Sequence, residues 1–178
     1  LDNMLQAVSV SFTRPGVGKL YFTFLADEME ITAPREFLRR PNNMVAWQGG
    51  FRTALPRLTL ALLTLQYTKV EPFTYTHYDA TLPMYTNPVS MSYANDGENL
   101  GYHLPPNSDE LLVAVDWLAL PRSRYQLRYQ LIRHGDHPSQ GADAAVIHGD
   151  IDKPFDWDLA SSYPDKDFLD DGLYDWNI

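Results

Sequence analysis

Within the segment Ser123–His134 apolar and polar residues alternate from Arg124 to Leu131. Tyr125, Leu127, Tyr129 and Leu131 fall on one face of an extended strand, and Arg124, Gln126, Arg128 and Gln130 fall on the other. Cations and amides in register make a poor sandwich core. They suit the water-filled lumen of a barrel, with the Tyr/Leu face turned to lipid.

The same period of two marks five further segments. In residues 4–13, Val8, Val10 and Phe12 oppose Ser9, Ser11 and Thr13; in residues 19–26, Leu20, Phe22 and Phe24 oppose Lys19, Tyr21 and Thr23. Arg14-Pro15-Gly16-Val17-Gly18 between them reads as a turn, because Pro presets φ and Gly supplies φ > 0. Residues 44–54 place Val45, Trp47 and Phe51 opposite Gln48 and Arg52, and Gly49-Gly50 predicts a bend or a close approach of another backbone. Residues 58–69 carry Leu58, Leu60 and Leu62 in one parity and Leu63, Leu65 and Tyr67 in the other. That switch predicts a β-bulge near Leu62-Leu63, or else a strand buried on both faces. In residues 110–120, Leu111, Val113, Val115 and Trp117 oppose Glu110, Ala114 and Asp116.

The connections divide into two kinds. Leu55-Pro56-Arg57 and Pro121-Arg122 read as tight turns, and the phrase Ala54-Leu55-Pro56-Arg57 recurs as Ala119-Leu120-Pro121-Arg122. Residues 27–43, broken by Pro34 and Pro41, read as a long loop with a short helix near residues 35–40; residues 70–109 read as a second long loop. Tight turns at one end and long loops at the other is the layout of an outer-membrane barrel. The fold class expected is therefore all-β: antiparallel up-and-down strands, a portion of an outer-membrane β-barrel with long outer loops. About eight strands are the minimum for closure, so six imply a larger barrel. Residues 171–178 read as the middle of a loop, and the start at Leu1 without a leader fits a processed or partial chain.

Composition sharpens this picture. The net charge of -9 comes entirely from the region after residue 135, where eleven Asp face two Lys. The chain thus divides into a barrel portion, 1–134, and an acidic, aromatic-containing outer loop or tail, 135–178. A neutral-to-acidic surface argues against nucleic acid. The 178 residues contain no Cys, which excludes disulfides and thiolate chemistry, and no apolar run long enough for a transmembrane helix. Eleven Tyr and four Trp suit lipid–water boundaries and sugar surfaces alike.

Tyr67-Thr68-Lys69-Val70-Glu71-Pro72-Phe73-Thr74-Tyr75-Thr76-His77, then Asn95-Asp96-Gly97-Glu98-Asn99-Leu100-Gly101-Tyr102 and Pro105-Pro106-Asn107-Ser108-Asp109-Glu110-Leu111, resemble the late strands of the capsule-assembly Wzi-like outer-membrane proteins. Phe73 stands where that family has Tyr, and Pro105 replaces a glycine; the resemblance spans roughly residues 44–134. It implies a multi-stranded barrel in the bacterial outer membrane that engages surface polysaccharide. It implies no enzyme, transfers no catalytic residue and calls for no cofactor.

The segment Phe73, Tyr75, His77, Tyr78, Tyr85, Tyr93, Tyr102 and His103 is the carbohydrate-binding candidate, since aromatic rings stack on sugar C–H faces while Asn, Asp and Glu read hydroxyls. The alternative is an interfacial belt that packs the loop on its own barrel. Arg52, Asp116, Arg124 and Arg128, with Glu110, fall on the polar faces, either setting the electrostatics of a lumen or plugging it with salt bridges; the salt-bridge network is the expected role. The pairs Asp150/Asp152, Asp156/Asp158 and Asp165/Asp167 lack EF-hand spacing, and His134 and His137 lack a third ligand, so no metal site is expected. Phe155, Trp157, Phe168, Tyr174 and Trp176 interleave with the acids, as in a segment that packs on a neighbouring loop or a surface-assembly partner. No nucleophile elbow, phosphate loop or dinucleotide fingerprint occurs. The rival from another class is a soluble β-sandwich that binds or hydrolyses carbohydrate, in which the Tyr125/Leu127 face would turn inward.

Overall fold

The computed structural model describes residues 5–29, 35–40, 42–76, 79–80, 89–90, 94–95, 98–99, 101–120, 123–135 and 168–169. Six strands form one open antiparallel sheet: β1 (Gln6–Arg14), β2 (Gly18–Glu28), β3 (Met44–Ala54), β4 (Ala61–Val70), β9 (Ser108–Leu120) and β10 (Ser123–His134). They lie side by side in the order β1-β2-β3-β4-β9-β10, an up-and-down meander. The long connection between β4 and β9 adds two small ladders, β5 (Asp79–Ala80) with β6 (Val89–Ser90), and β7 (Ala94–Asn95) with β8 (Glu98–Asn99).

Strand pairing aligns the alternation of each strand with that of its neighbours. Directly opposed residues share a face, so the row Phe12–Leu20–Phe51–Leu65–Val113–Tyr129 crosses the whole sheet on one side. The adjoining rows on that side hold Val10, Phe22, Tyr67, Leu111 and Leu131, and Leu63, Val115 and Leu127. The other side is polar, row upon row: Thr13–Lys19–Arg52–Thr64–Ala114–Arg128, then Ser11–Tyr21–Gly50–Gln66–Leu112–Gln130, then Ser9–Thr23–Gln48–Thr68–Glu110–Ile132.

The apolar face is open, and β1 is exposed on both of its faces. Val8, Phe12, Leu20 and Leu127 are 64%, 67%, 59% and 72% exposed. The buried hydrophobic cluster lies instead at one end of the polar side, where Ala46, Val70, Tyr75 and Leu104 meet, with Leu25, Tyr102 and Ile132 against them. Residues 71–76 and 101–107 thus fold over the end of the polar face. Trp47 and Tyr67, with ring centroids 5.1 Å apart, mark that end of the apolar side, next to the Arg133–Asp109 ion pair. Trp117 and Tyr125, 5.8 Å apart, mark the other end.

Several local expectations change. No bulge interrupts β4, whose register with both neighbours is continuous from Leu62 to Val70. The parity switch arises because Leu58 and Leu60 belong to the turn: Leu58 N donates to Leu55 O (3.1 Å), Ala61 N to Leu58 O (3.3 Å), and Leu60 takes φ 56°. The Leu55 turn is therefore longer than Leu55-Pro56-Arg57. Gly49-Gly50 makes no bend, and β3 stays paired through it on both sides. Gly50 is approached closely by a backbone, as expected, and by a side chain as well: a Cβ there would stand 2.9 Å from Leu65 O and collide with the Tyr21 ring, which lies across β3 so that its OH donates to Gln66 Oε1 (2.8 Å). Gly16, at φ 77°, closes the β1–β2 turn as expected. Residues 35–39 form a single hydrogen-bonded turn rather than a helix, with Arg40 N donating to Glu36 O (3.1 Å).

Candidate functional site

At the loop end of the polar face, side-chain hydrogen bonds join into one connected group. Glu110, fully buried, lies on β9 beside Thr68 of β4, its register partner. Tyr102 reaches it from the 101–107 segment: its OH donates to Glu110 Oε2 (2.6 Å) and accepts from Gln66 Nε2 (3.1 Å). Gln130, from β10, donates to Glu110 Oε1 and lies 3.3 Å from His103 Nε2. His103 Nε2 is 3.6 Å from Glu110 Oε2, its ring 4.4 Å from that of Tyr102, and its side chain half exposed. Burial, and secondarily the hydrogen bond to Glu110, push the Tyr102 hydroxyl up to about 12. It is therefore a phenol, a donor to the carboxylate, across the ordinary pH range.

Tyr75 and Phe73 play a different part. Both are 1% exposed and both adopt left-handed backbone, φ 73° and 69°. Aromatic residues hold that conformation only where the surroundings enforce it. Here Tyr75 N donates to Asp27 Oδ2 (3.0 Å), Thr74 Oγ1 to Val45 O (3.0 Å) and Thr76 Oγ1 to Phe73 O (2.7 Å). Burial raises the Tyr75 hydroxyl as well, and Tyr102 N donates to it at 3.4 Å. The structure thus brings Tyr75, Tyr102 and His103 together but presents only Tyr102 and His103 at the surface. Phe73 and Tyr75 are the packing beneath them. A cavity of about 130 Å³ is lined by Tyr75 and Tyr102 and by Thr23, Gln48 and Thr68 of the sheet. His77, Tyr78, Tyr85 and Tyr93 lie outside the described residues.

All four residues expected to line a lumen are on the polar face. Among the described residues Arg124 is the one of the three arginines that joins a salt bridge, Nη2 to Asp116 Oδ1 at 2.6 Å, with Gln126 donating to the same oxygen (3.1 Å). Arg52 Nε donates to Thr64 Oγ1 (3.2 Å), and among the described residues no carboxylate comes within salt-bridge distance of Arg52 or Arg128. The expected network is thus a single exposed pair.

Described residues of the 135–178 region meet the end of the sheet beside Asn107 and Lys69. Leu169 N donates to Asn107 Oδ1 (3.0 Å), and Lys69 Nζ stands 3.8 Å above the Phe168 ring. Asn107, buried at φ 56°, also accepts from Gly135 N (3.0 Å). The remainder of the acidic segment and its Asp pairs lie outside the described residues. Among the described residues no group of His, Asp and Glu could hold a metal ion.

Sequence reasoning missed Gln66, Thr68 and Gln130 as partners of Tyr102 and His103. Each was visible as a polar-face residue of its own strand. Their meeting depends on lateral register, which alternation within one strand does not encode. No family model matches this chain, and it has no significant similarity to a curated protein or a solved structure.

Proposed function

We propose that the six strands form part of the wall of a bacterial outer-membrane β-barrel of the Wzi-like, capsule-assembly kind, and that its loop end engages surface polysaccharide. The observation that carries the reading is the lateral register, which puts apolar side chains on one face of every strand and polar ones on the other. A contiguous exposed apolar face of this extent has to be covered by something. Lipid suits it for three reasons. The strands run 9 to 13 residues, against about 9–11 needed to span a bilayer. Aromatic pairs stand at both ends of the face, where amphipathic rings favour the interface. Among the described residues no second sheet packs on it, as the rival sandwich would require.

Engagement of polysaccharide rests on Tyr102 and His103, which offer ring faces next to the amide of Gln130. Fractionation of the expressing bacterium tests the first half: the native protein partitions with outer membrane and needs detergent to stay dispersed. Full recovery in a detergent-free soluble fraction refutes the barrel. Replacing Tyr102 and His103 together by Ala tests the second half. Glycan retention falls while the barrel stays folded; unchanged retention confines these rings to packing.

A further inference from the structure

The row of the polar face that crosses Lys19, Arg52 and Arg128 has no counter-charge within the described residues. Lys19 and Arg52 are direct cross-strand partners, so their Cα atoms stand about 5 Å apart. Like charges placed opposite each other destabilise a sheet. The nearest designed neutralisation on this face, Asp116, is taken by Arg124. Thr64, the partner of Arg52 on the next strand, supplies a hydroxyl rather than a carboxylate. Beside the two cations lies a cavity of about 260 Å³ lined by Lys19, Tyr21, Gln48, Arg52 and Gln66. Every one of these side chains carries a hydrogen-bond donor. Tyr21 is pinned there by Gly50 and Gln66, which gives the cavity a fixed wall.

We propose that this cavity is an oxyanion site, in which Lys19 and Arg52 hold a carboxylate or phosphate group, and that Arg128 extends it to a polymer with repeated anionic groups. An anion between Lys19 and Arg52 turns their repulsion into two attractions, and Arg offers a planar fork that matches either group. The Gln66 amide is committed to Tyr102 and Tyr21 and so fixes the cavity wall, while Gln48 donates one amide proton to Thr68 (3.2 Å) and has a second for the anion. Arg128 is three strands from Arg52 in the same row, a span of about 14 Å. One small anion cannot touch both, whereas a charged polymer lying across the row can. The site stands on the register and the cavity alone. It does not require the bilayer, although inside a closed barrel the same row would be a cationic girdle of the kind that selects anions.

The test is binding of inorganic phosphate and of sodium polygalacturonate to the purified full chain in detergent micelles, followed by calorimetry at low and moderate salt. Both probes should bind, more weakly as salt rises. Lys19→Gln and Arg52→Gln should each weaken both by about tenfold or more, the loss expected for one charge-assisted hydrogen bond. Arg52→Lys should retain most of the affinity. Arg128→Gln should weaken only the polymer, and Arg14→Gln, a cation off the row, should change neither. If Arg52→Gln fails to fold, Lys19→Gln carries the same comparison, since among the described residues Lys19 makes no side-chain hydrogen bond. Phosphate binding without the polymer would support a site for free oxyanions; polymer binding alone would support the extended site. The proposal is overturned if wild type binds neither probe, or if Arg14→Gln costs as much as Arg52→Gln. A protein that needs no detergent yet binds through Arg52 removes the bilayer and leaves this site standing; a detergent-dependent protein that binds neither does the reverse.

Discussion

Leu65→Arg separates a lipid-facing sheet from a water-facing one. Leu65 lies halfway along β4, between Ala61, whose partner is Trp117, and Lys69, whose partner is Asp109. Four residues in each direction place it about 13 Å along the strand from either end of the apolar stretch. In water, the side chain is already 41% exposed. Exchange for Arg there loses little burial, and the long chain lays its methylenes on the sheet, so the change should stay within about 1 kcal/mol. At the middle of a bilayer the same exchange costs about 2–4 kcal/mol. Leu127→Arg supplies the depth control, since Leu127 is two residues from Tyr125 of the Trp117–Tyr125 pair, about 7 Å along the strand. Its cost should be the smaller of the two, because the penalty falls towards the interface. Arg128→Gln, on the polar face, should be mild. Urea unfolding of protein inserted in liposomes, followed by tryptophan fluorescence, to which Trp47 and Trp117 of the sheet contribute, gives all three values. A flat profile, with Leu65→Arg no worse than Arg128→Gln, would refute the orientation.

Three further outcomes follow from the local geometry. Gly50→Val should cost about 1–3 kcal/mol by driving its side chain into Tyr21, and Tyr21→Ala should recover part of that loss in a double-mutant cycle of denaturant midpoints; strict additivity would mean the two do not touch. The Tyr102 hydroxyl, raised to about 12, favours the folded state in its neutral form, so its contribution is complete below about pH 10 and lost as pH rises through 12; alkaline titration of tyrosinate absorbance should show a late step that loses the amplitude of one tyrosine in Tyr102→Phe. Asn107→Ala removes the acceptor of Leu169 N and forces a residue with a β-carbon but no local hydrogen bond to keep φ 56°, a loss of about 1–3 kcal/mol, and limited proteolysis near residues 168–169 should then quicken; Asn107→Gly, which restores the backbone freedom alone, should be cut as fast while losing less stability.

The strands were legible because each carries a two-residue period over nine or more positions, and a one-residue slip would invert every side chain. β3 and β10 run over the expected residues, 44–54 and 123–134. The start of β4 was illegible because Leu58 and Leu60 imitate the period while standing in a turn, with Leu60 in left-handed backbone that its residue type does not announce. The site was legible only in outline. Phe73, Tyr75 and Tyr102 have the same composition signature, yet the first two are buried by a backbone conformation set by Asp27, Val45 and Phe73 carbonyl or carboxylate acceptors. The cationic row was divided among three strands, and only pairing aligns Lys19, Arg52 and Arg128.

The same premise that turns the apolar face to lipid bears on the edges of the sheet. Among the described residues β1 and β10 each have one partner strand, so each leaves a row of backbone donors and acceptors without a ladder there. In water such an edge is solvated; in hydrocarbon every unsatisfied group costs several kcal/mol. A bilayer therefore admits these six strands only if further strands pair with β1 and β10 and close the sheet. Closure would also change the polar face. Its rows now cross an open sheet, where Lys19 and Arg128 share water with bulk solvent and their fields are screened. Joined into a ring, they would act across a narrow lumen of lower effective dielectric, where cations without carboxylate partners are costly unless anions are present. The apolar outside and the cationic row are thus linked: the more completely the strands enclose a lumen, the stronger the demand that something anionic occupy it.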